Sequence, residues 1–130
     1  MGSRRYDVVV IDDDPSIGVF LGLAMRLDGR LELVEYFTDA ASAIAHLQTS
    51  CPHAIMCDVR MPGIGGLEAL PDLRAACPRS VIAMYTSEPE GAQSALEMGA
   101  DEVFDKTGEP TELIERLVEL VARRAGSQSA

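Results

Sequence analysis

Five polar residues stand where apolar runs end: Asp12 and Asp13 after VVVI, Asp58 after AIMC, Thr86 after VIAMY, and Lys106 shortly after Val103-Phe104. Continuous apolar runs of this length, without alternation, are the pattern of parallel strands buried on both faces. Parallel strands bring their carboxyl ends to one edge, which is where open α/β sheets bind ligands. Three carboxylates gathered there repel one another and raise at least one pKa unless a cation sits among them. Oxygen donors with room for water suit Mg²⁺, which commonly bridges to a phosphate. The Lys106 ammonium and the Thr86 hydroxyl would hold further phosphoryl oxygens and, with the metal, neutralise the charge that spreads during phosphoryl transfer. The nucleophile in such a site is a carboxylate, as in aspartyl-phosphate chemistry. Asp58 sits where a strand gives way to a tight loop, because Pro62-Gly63 and Gly65-Gly66 break regular structure just behind it.

The elements that must carry these residues alternate. The run Val8 to Ile11 is followed by Asp12-Asp13-Asp14 and Pro15, where Asp13 or Asp14 can cap a helix that starts on the proline. Ile17, Phe20, Leu21, Ala24 and Met25 then recur at helical spacing up to Asp28-Gly29. A second strand over 31–37, a helix over 40–47 capped by Asp39, and the strand ending at Asp58 follow. Leu67, Leu70, Leu73 and Ala76 share one helical face around Pro71, read as a first turn or a kink. After the strand that ends at Thr86, a fourth helix (α4, 88–98) offers mostly alanine inward and contains Gly91, so it buries little and is expected to be the least firmly held element. A short fifth strand around Val103-Phe104 (β5) and a last helix over 111–123 (α5) complete five βα repeats, which predict a doubly wound α/β sandwich with a parallel sheet.

Composition sets further bounds. The 130 residues suffice for one domain with a real core. A formal net charge of -10 argues against an intrinsic nucleic-acid surface. No apolar run is long enough to span a bilayer, and the N-terminus lacks a signal-peptide core, which reads as a cytoplasmic protein with no membrane association. Cys51, Cys57 and Cys77 are odd in number and lack metal-ligand spacing, so reduced thiols are expected. His46 and His53 read as surface residues. Disorder is expected at 1–5 and 125–130, with one domain over 6–124. In the last helix Leu113, Ile114, Leu117, Val118, Leu120 and Val121 form a stripe wider than one core face needs, part of it left for a partner or a second copy.

The constellation resembles the receiver domains of two-component response regulators over nearly the whole chain, from about Tyr6 to Arg123. The acidic pair matches Asp12-Asp13 in VVVIDDDP, the phosphoacceptor Asp58 in CDVRMPGIGG, the switch hydroxyl Thr86 in AMYTSE, and the invariant lysine Lys106 in GADEVFDKT. The resemblance implies a flavodoxin-like five-stranded parallel sheet of order 2-1-3-4-5 with five helices. It also implies Mg²⁺ (or Mn²⁺) held by Asp13, Asp58 and the backbone carbonyl of Arg60, with Asp12 acting largely through water. It implies a phosphoryl group received from a histidine kinase or a histidine phosphotransfer protein, and binding of a downstream partner or a second copy through the α4-β5-α5 face. The only catalysis implied is self-directed: phosphoryl transfer to Asp58 and autodephosphorylation.

Three departures from the family pattern stand out. Thr107 replaces the usual proline after the lysine, the switch aromatic position holds Val103 with Phe104 one place later, and only a short Ser and Ala tail follows Arg124, as in a single-domain or excised receiver. Arg60 and Glu88 flank the site and are expected to pair across its mouth and slow the approach of water. Two rivals remain: a receiver-like scaffold that is never phosphorylated, and a haloacid-dehalogenase-like phosphatase using Asp12 and Asp14, which leaves Asp58 unused.

Overall fold

The computed structural model describes residues 5–61 and 63–129, with only the backbone of Pro89 and of 127–129. The expectations for 1–4, Pro62 and Ala130 lie outside the described residues. The elements are β1 (Tyr6–Ile11), α1 (Pro15–Asp28), β2 (Leu31–Phe37), α2 (Ala40–Leu47), β3 (Ala54–Asp58), α3 (Gly66–Ala76), β4 (Val81–Thr86), a 3-10 turn (Pro89–Gly91), α4 (Ala92–Glu97), β5 (Glu102–Asp105) and α5 (Pro110–Ser129). All strand pairs are parallel and the order is β2-β1-β3-β4-β5. This is the flavodoxin-like arrangement, with the switch point between β1 and β3.

The continuous apolar runs do what their pattern predicts. β3 and β4 are buried at every residue, and alternate side chains feed two cores. Val9, Ile11, Ile55, Cys57, Ile82 and Met84 pack toward α2, α3 and α4, whereas Val10, Met56, Ala83 and Tyr85 pack toward α1 and α5. At the outer edge, β2 shifts register between Leu33 and Glu35, which leaves Val34 as an inserted residue opposite β1.

Local chemistry sets the helix ends. The Asp14 carboxylate accepts the Ser16 N–H at 3.0 Å with Pro15 in the first turn, so Asp14 is the cap and Asp13 is free of that duty. Pro71 sits inside α3 without ending it. α4 is shorter than expected, six residues behind a 3-10 turn, because Gly91 supplies no side-chain cap and Ala95 is its single buried residue. α5 is longer than expected: it runs through 125–129, where a tail was anticipated. Arg124 is anchored by hydrogen bonds to Arg79 O, Ser80 O and Asp101, and no proline follows to break the helix.

Two expectations about side chains are corrected. Cys51 and Cys77 form a disulfide, with Cα atoms 5.7 Å apart, because the loop before β3 runs beside the end of α3; Cys57 alone is free, and buried. The stripe on α5 is mostly core: Leu113, Ile114, Leu117 and Val121 are buried and Val118 and Leu120 are packed against them. The exposed apolar face belongs instead to α1, where Val19, Phe20, Leu23 and Leu27 are 73, 45, 57 and 79 % exposed.

Candidate functional site

The carboxyl ends of β1, β3, β4 and β5 bring the predicted residues to one rim. Asp12 and Asp58 are buried, Asp13 is exposed, and oxygens of all three lie within 4.8 Å of one another. Lys106, entering from behind β5, places Nζ 2.8 Å from Asp12 Oδ2 and 3.4 Å from Asp58 Oδ2. Thr86 is buried, its Oγ1 accepting the Glu88 N–H at 3.0 Å, and its carbonyl accepts the Lys106 N–H at 2.9 Å. Behind Asp58 the chain turns so tightly that a Cβ at Gly66 would lie 2.1 Å from the Asp58 carbonyl oxygen, so only glycine starts α3 there.

Charge is unbalanced here, with three carboxylates facing one ammonium. Burial and then the Asp12 charge push the Asp58 carboxyl above its ordinary value, against the pull of Lys106 and the Arg60 N–H. Burial draws Lys106 down, but its hydrogen bond to Asp12 and the two carboxylate charges outweigh that and hold it above the ordinary range. The neighbouring Cys57 thiol is pushed up to about 12 by burial and by Asp58 and Asp12, which makes it an inert core thiol. The Lys106 ammonium donates to Asp12 Oδ2 at 2.8 Å, and Asp12 Oδ1 accepts the Asp14 N–H at 2.9 Å. Three carboxylates whose oxygens lie within 4.8 Å of one another, faced by one ammonium, form a set of hard oxygen donors that fits a divalent cation.

The response regulator receiver domain family model matches residues 8–118. The chain belongs to this family. Among curated proteins it is 32 % identical over 102 residues to a protein-glutamate methylesterase/protein-glutamine glutaminase of Desulfitobacterium hafniense, covering 76 % of this chain and 26 % of that one. It is 29 % identical to the DNA-binding response regulator MtrA of Mycolicibacterium smegmatis, covering 90 % of this chain and 51 % of that one. The chain thus spans less than two thirds of the length of these curated relatives. Among solved structures, a putative response regulator from Chloroflexus aurantiacus has a TM-score of 0.81 at 28 % identity, covering 92 % of this chain and 99 % of that one. A CheY-like receiver domain protein from Methanospirillum hungatei has a TM-score of 0.85 at 21 % identity, covering 96 % and 99 %.

The departures from the receiver pattern have local answers. At the usual proline position, the Thr107 N–H and hydroxyl both donate to Asp105 Oδ1, at 2.9 and 2.8 Å, so a side-chain turn braces the loop behind Lys106. Val103 packs in the core shared with α3 and α4, while Phe104 packs toward α1 and α5. The face of β5 that Thr86 shares therefore carries Val103 and not the aromatic ring. Arg60 and Glu88 do meet, Nη2 to Oε1 at 2.5 Å, with both side chains largely exposed. Asp14 faces Ser16 and not the pocket, which separates the Asp12–Asp14 pair that the phosphatase reading needs.

Sequence reasoning missed Tyr36, whose hydroxyl donates to the Asp12 carbonyl and whose phenol is pushed up by burial and by the Asp12, Asp14 and Asp13 charges. It also missed that His53 is half-buried, its Nδ1 accepting the Asp7 N–H at 3.0 Å.

Proposed function

We propose that Asp58 accepts a phosphoryl group from a phosphohistidine of a histidine kinase or phosphotransfer protein, and that the resulting aspartyl phosphate switches partner binding. The observation that carries this reading is the Asp58 carboxylate at the end of β3, facing the Lys106 ammonium at 3.4 Å and grouped with Asp12 and Asp13. An Asp58 oxygen attacks phosphorus as the phosphorus–nitrogen bond breaks; the electron pair returns to the donor imidazole nitrogen, which takes up a proton. Asp13, Asp58 and the Arg60 carbonyl would hold Mg²⁺ (or Mn²⁺), with Asp12 acting through water. When bound, the cation offsets charge on the phosphoryl oxygens. Lys106 is placed to meet one of those oxygens, and Thr86 to turn its hydroxyl from Glu88 toward another. The chain's own chemistry ends with loss of that group to water.

The switched state is delivered through the α4-β5-α5 face to a downstream protein or a second copy. Supporting that face, Leu96 and Met98 are 44 and 41 % exposed, and a groove of about 310 Å³ lies between β5 and α5, lined in part by Val103, Phe104, Leu113 and Arg116. The net charge of -10 disfavours nucleic acid as that partner. Among the described residues no helix is long and apolar enough to cross a membrane, and the proposed site of action is the cytoplasm.

The test is incubation with acetyl phosphate and Mg²⁺, with the modified residue mapped by mass spectrometry beside Asp58→Ala. A labile, Mg²⁺-dependent phosphoryl group on Asp58, absent from the variant, is expected. Label on Asp12 would point to the phosphatase reading. No label, together with no response to beryllofluoride, would leave a constitutive scaffold.

A further inference from the structure

We infer that Tyr36 is a positioning residue for the acidic pair: packed on Gly18 and bonded to the Asp12 carbonyl, it sets the Asp12–Asp13 peptide and so the reach of the Asp13 carboxylate into the cation site. The inference rests on the reading of that site as a divalent-cation site.

Three observations converge on the Asp12–Asp13 peptide. Tyr36 and Phe37, consecutive on β2 and paired with Val10 and Ile11, hold Asp12 from both sides: Phe37 O accepts the Asp12 N–H at 3.0 Å, and the Tyr36 hydroxyl donates to the Asp12 carbonyl. On the far side the Asp14 N–H returns to Asp12 Oδ1 at 2.9 Å, and Asp14 is committed to capping α1 through Ser16. Asp13 is therefore strung between two fixed residues. Its exposed carboxylate has no hydrogen bond or ion pair among the described residues, so its direction is inherited from the main chain.

Gly18 explains how the ring gets there. A Cβ at Gly18 would lie 2.8 Å from Tyr36 Cδ1, 3.0 Å from Cε1 and 3.2 Å from Cγ. Glycine inside a helix costs about 1 kcal/mol relative to alanine, and here its missing side chain is the floor on which the ring rests. The pair does not touch the reacting atoms; it acts through the peptide that joins Asp12 to Asp13. The hydroxyl fixes that peptide's carbonyl, and rotation of the plane would swing Asp13 away from Asp58.

The experiment is Mn²⁺ titration of the whole chain, followed by isothermal calorimetry and by line broadening of amide resonances, for wild type, Tyr36→Phe, Gly18→Ala, the double variant and Asp13→Asn. Tyr36→Phe keeps the ring and loses the hydrogen bond. It is expected to weaken Mn²⁺ about three- to tenfold, the worth of one hydrogen bond, to move the Asp13 amide resonance, and to shift Tm by about 5 °C or less. Gly18→Ala keeps the hydroxyl but displaces the ring, so it should weaken Mn²⁺ in the same way, and the double variant should bind no more weakly than Tyr36→Phe. Wild-type Mn²⁺ affinity in Tyr36→Phe, beside lost affinity in Asp13→Asn, would overturn the inference and leave the cation site standing. Absence of Mn²⁺ binding in the wild type would overturn the site reading, and this inference with it.

Discussion

Two aspartates at opposite ends of the sheet show how burial can lead to opposite chemistry. Asp58, at the carboxyl end of β3, is buried and Asp101, just before β5, is half-buried, and both face basic side chains. Asp101 is saturated: Oδ1 receives Arg124 at 2.8 Å, and Oδ2 receives Arg74 and the Ile82 N–H, each at 2.9 Å. Burial pushes its carboxyl up, but the Ile82 and Arg74 hydrogen bonds and the two guanidinium charges win and hold it below the ordinary range. Asp58 has one backbone donor, the Arg60 N–H at 3.2 Å, and shares its ammonium with Asp12. Burial wins there. One end of the sheet completes its charge pairs and ties together α3, the strand entry of β4, β5 and α5. The other end leaves three carboxylates against one ammonium, an unbalanced negative charge.

The largest way to break this comparison is Asp58→Asn, which should abolish phosphoryl acceptance from acetyl phosphate, read as loss of the mass increment, without lowering Tm. Next is the disulfide that reinforces the saturated end. Reduction, or Cys51→Ser, should cost about 3 kcal/mol in urea melts, the constraint expected for residues 26 apart in sequence, while leaving labelling of Asp58 intact. Asp101→Asn should cost about 2 kcal/mol, because it removes the partner of two guanidiniums, again with labelling preserved.

Acid titration sharpens the contrast through opposite slopes. A carboxyl held low in the fold contributes stability that is present at neutral pH and lost as pH falls below its ordinary value toward the folded one. A carboxyl pushed up makes stability fall as pH rises from the ordinary value through the raised one. Asp101→Asn should therefore flatten the loss of stability on acidification, and Asp58→Asn should remove a loss on the way to neutrality; stability against pH checks both. Arg60→Ala has the smallest expected effect on stability, about 0.5 kcal/mol or less for so exposed a pair. Its reading is kinetic: opening the Arg60–Glu88 bridge should speed dephosphorylation of Asp58, and an unchanged rate would remove the pair as a gate.

The functional end of the molecule was legible because its logic is one-dimensional. A continuous apolar run announces a buried parallel strand, and the next polar residue must lie on the rim, so Asp12, Asp58 and Thr86 can be placed there from the sequence alone. Contacts made by long side chains between distant segments were not legible. Nothing local in Arg74, Asp101 or Arg124 says that they converge, and Cys51 meets Cys77 only because a loop and a helix end happen to adjoin. Helix faces were legible in direction but not in width: Phe20 was counted with Leu21 and Met25 toward the core, yet only the latter two are buried. On α5 the reverse error appeared, since a helix that packs on both the sheet and α1 has a wide stripe to bury. Tyr36 could have been suspected from Gly18, a glycine inside a helix without a turn to explain it.

The inserted Val34 has a consequence for how this molecule can meet others. An edge strand is an open template for another chain's backbone, and the bulge at Val34 spoils that template on β2, with Glu32 and Glu35 adding charge beside it. The opposite edge is a strand of four residues bearing Glu102 and Asp105. Backbone-to-backbone extension of the sheet is disfavoured at both margins, which leaves the helical surfaces as the faces open to contact through side chains.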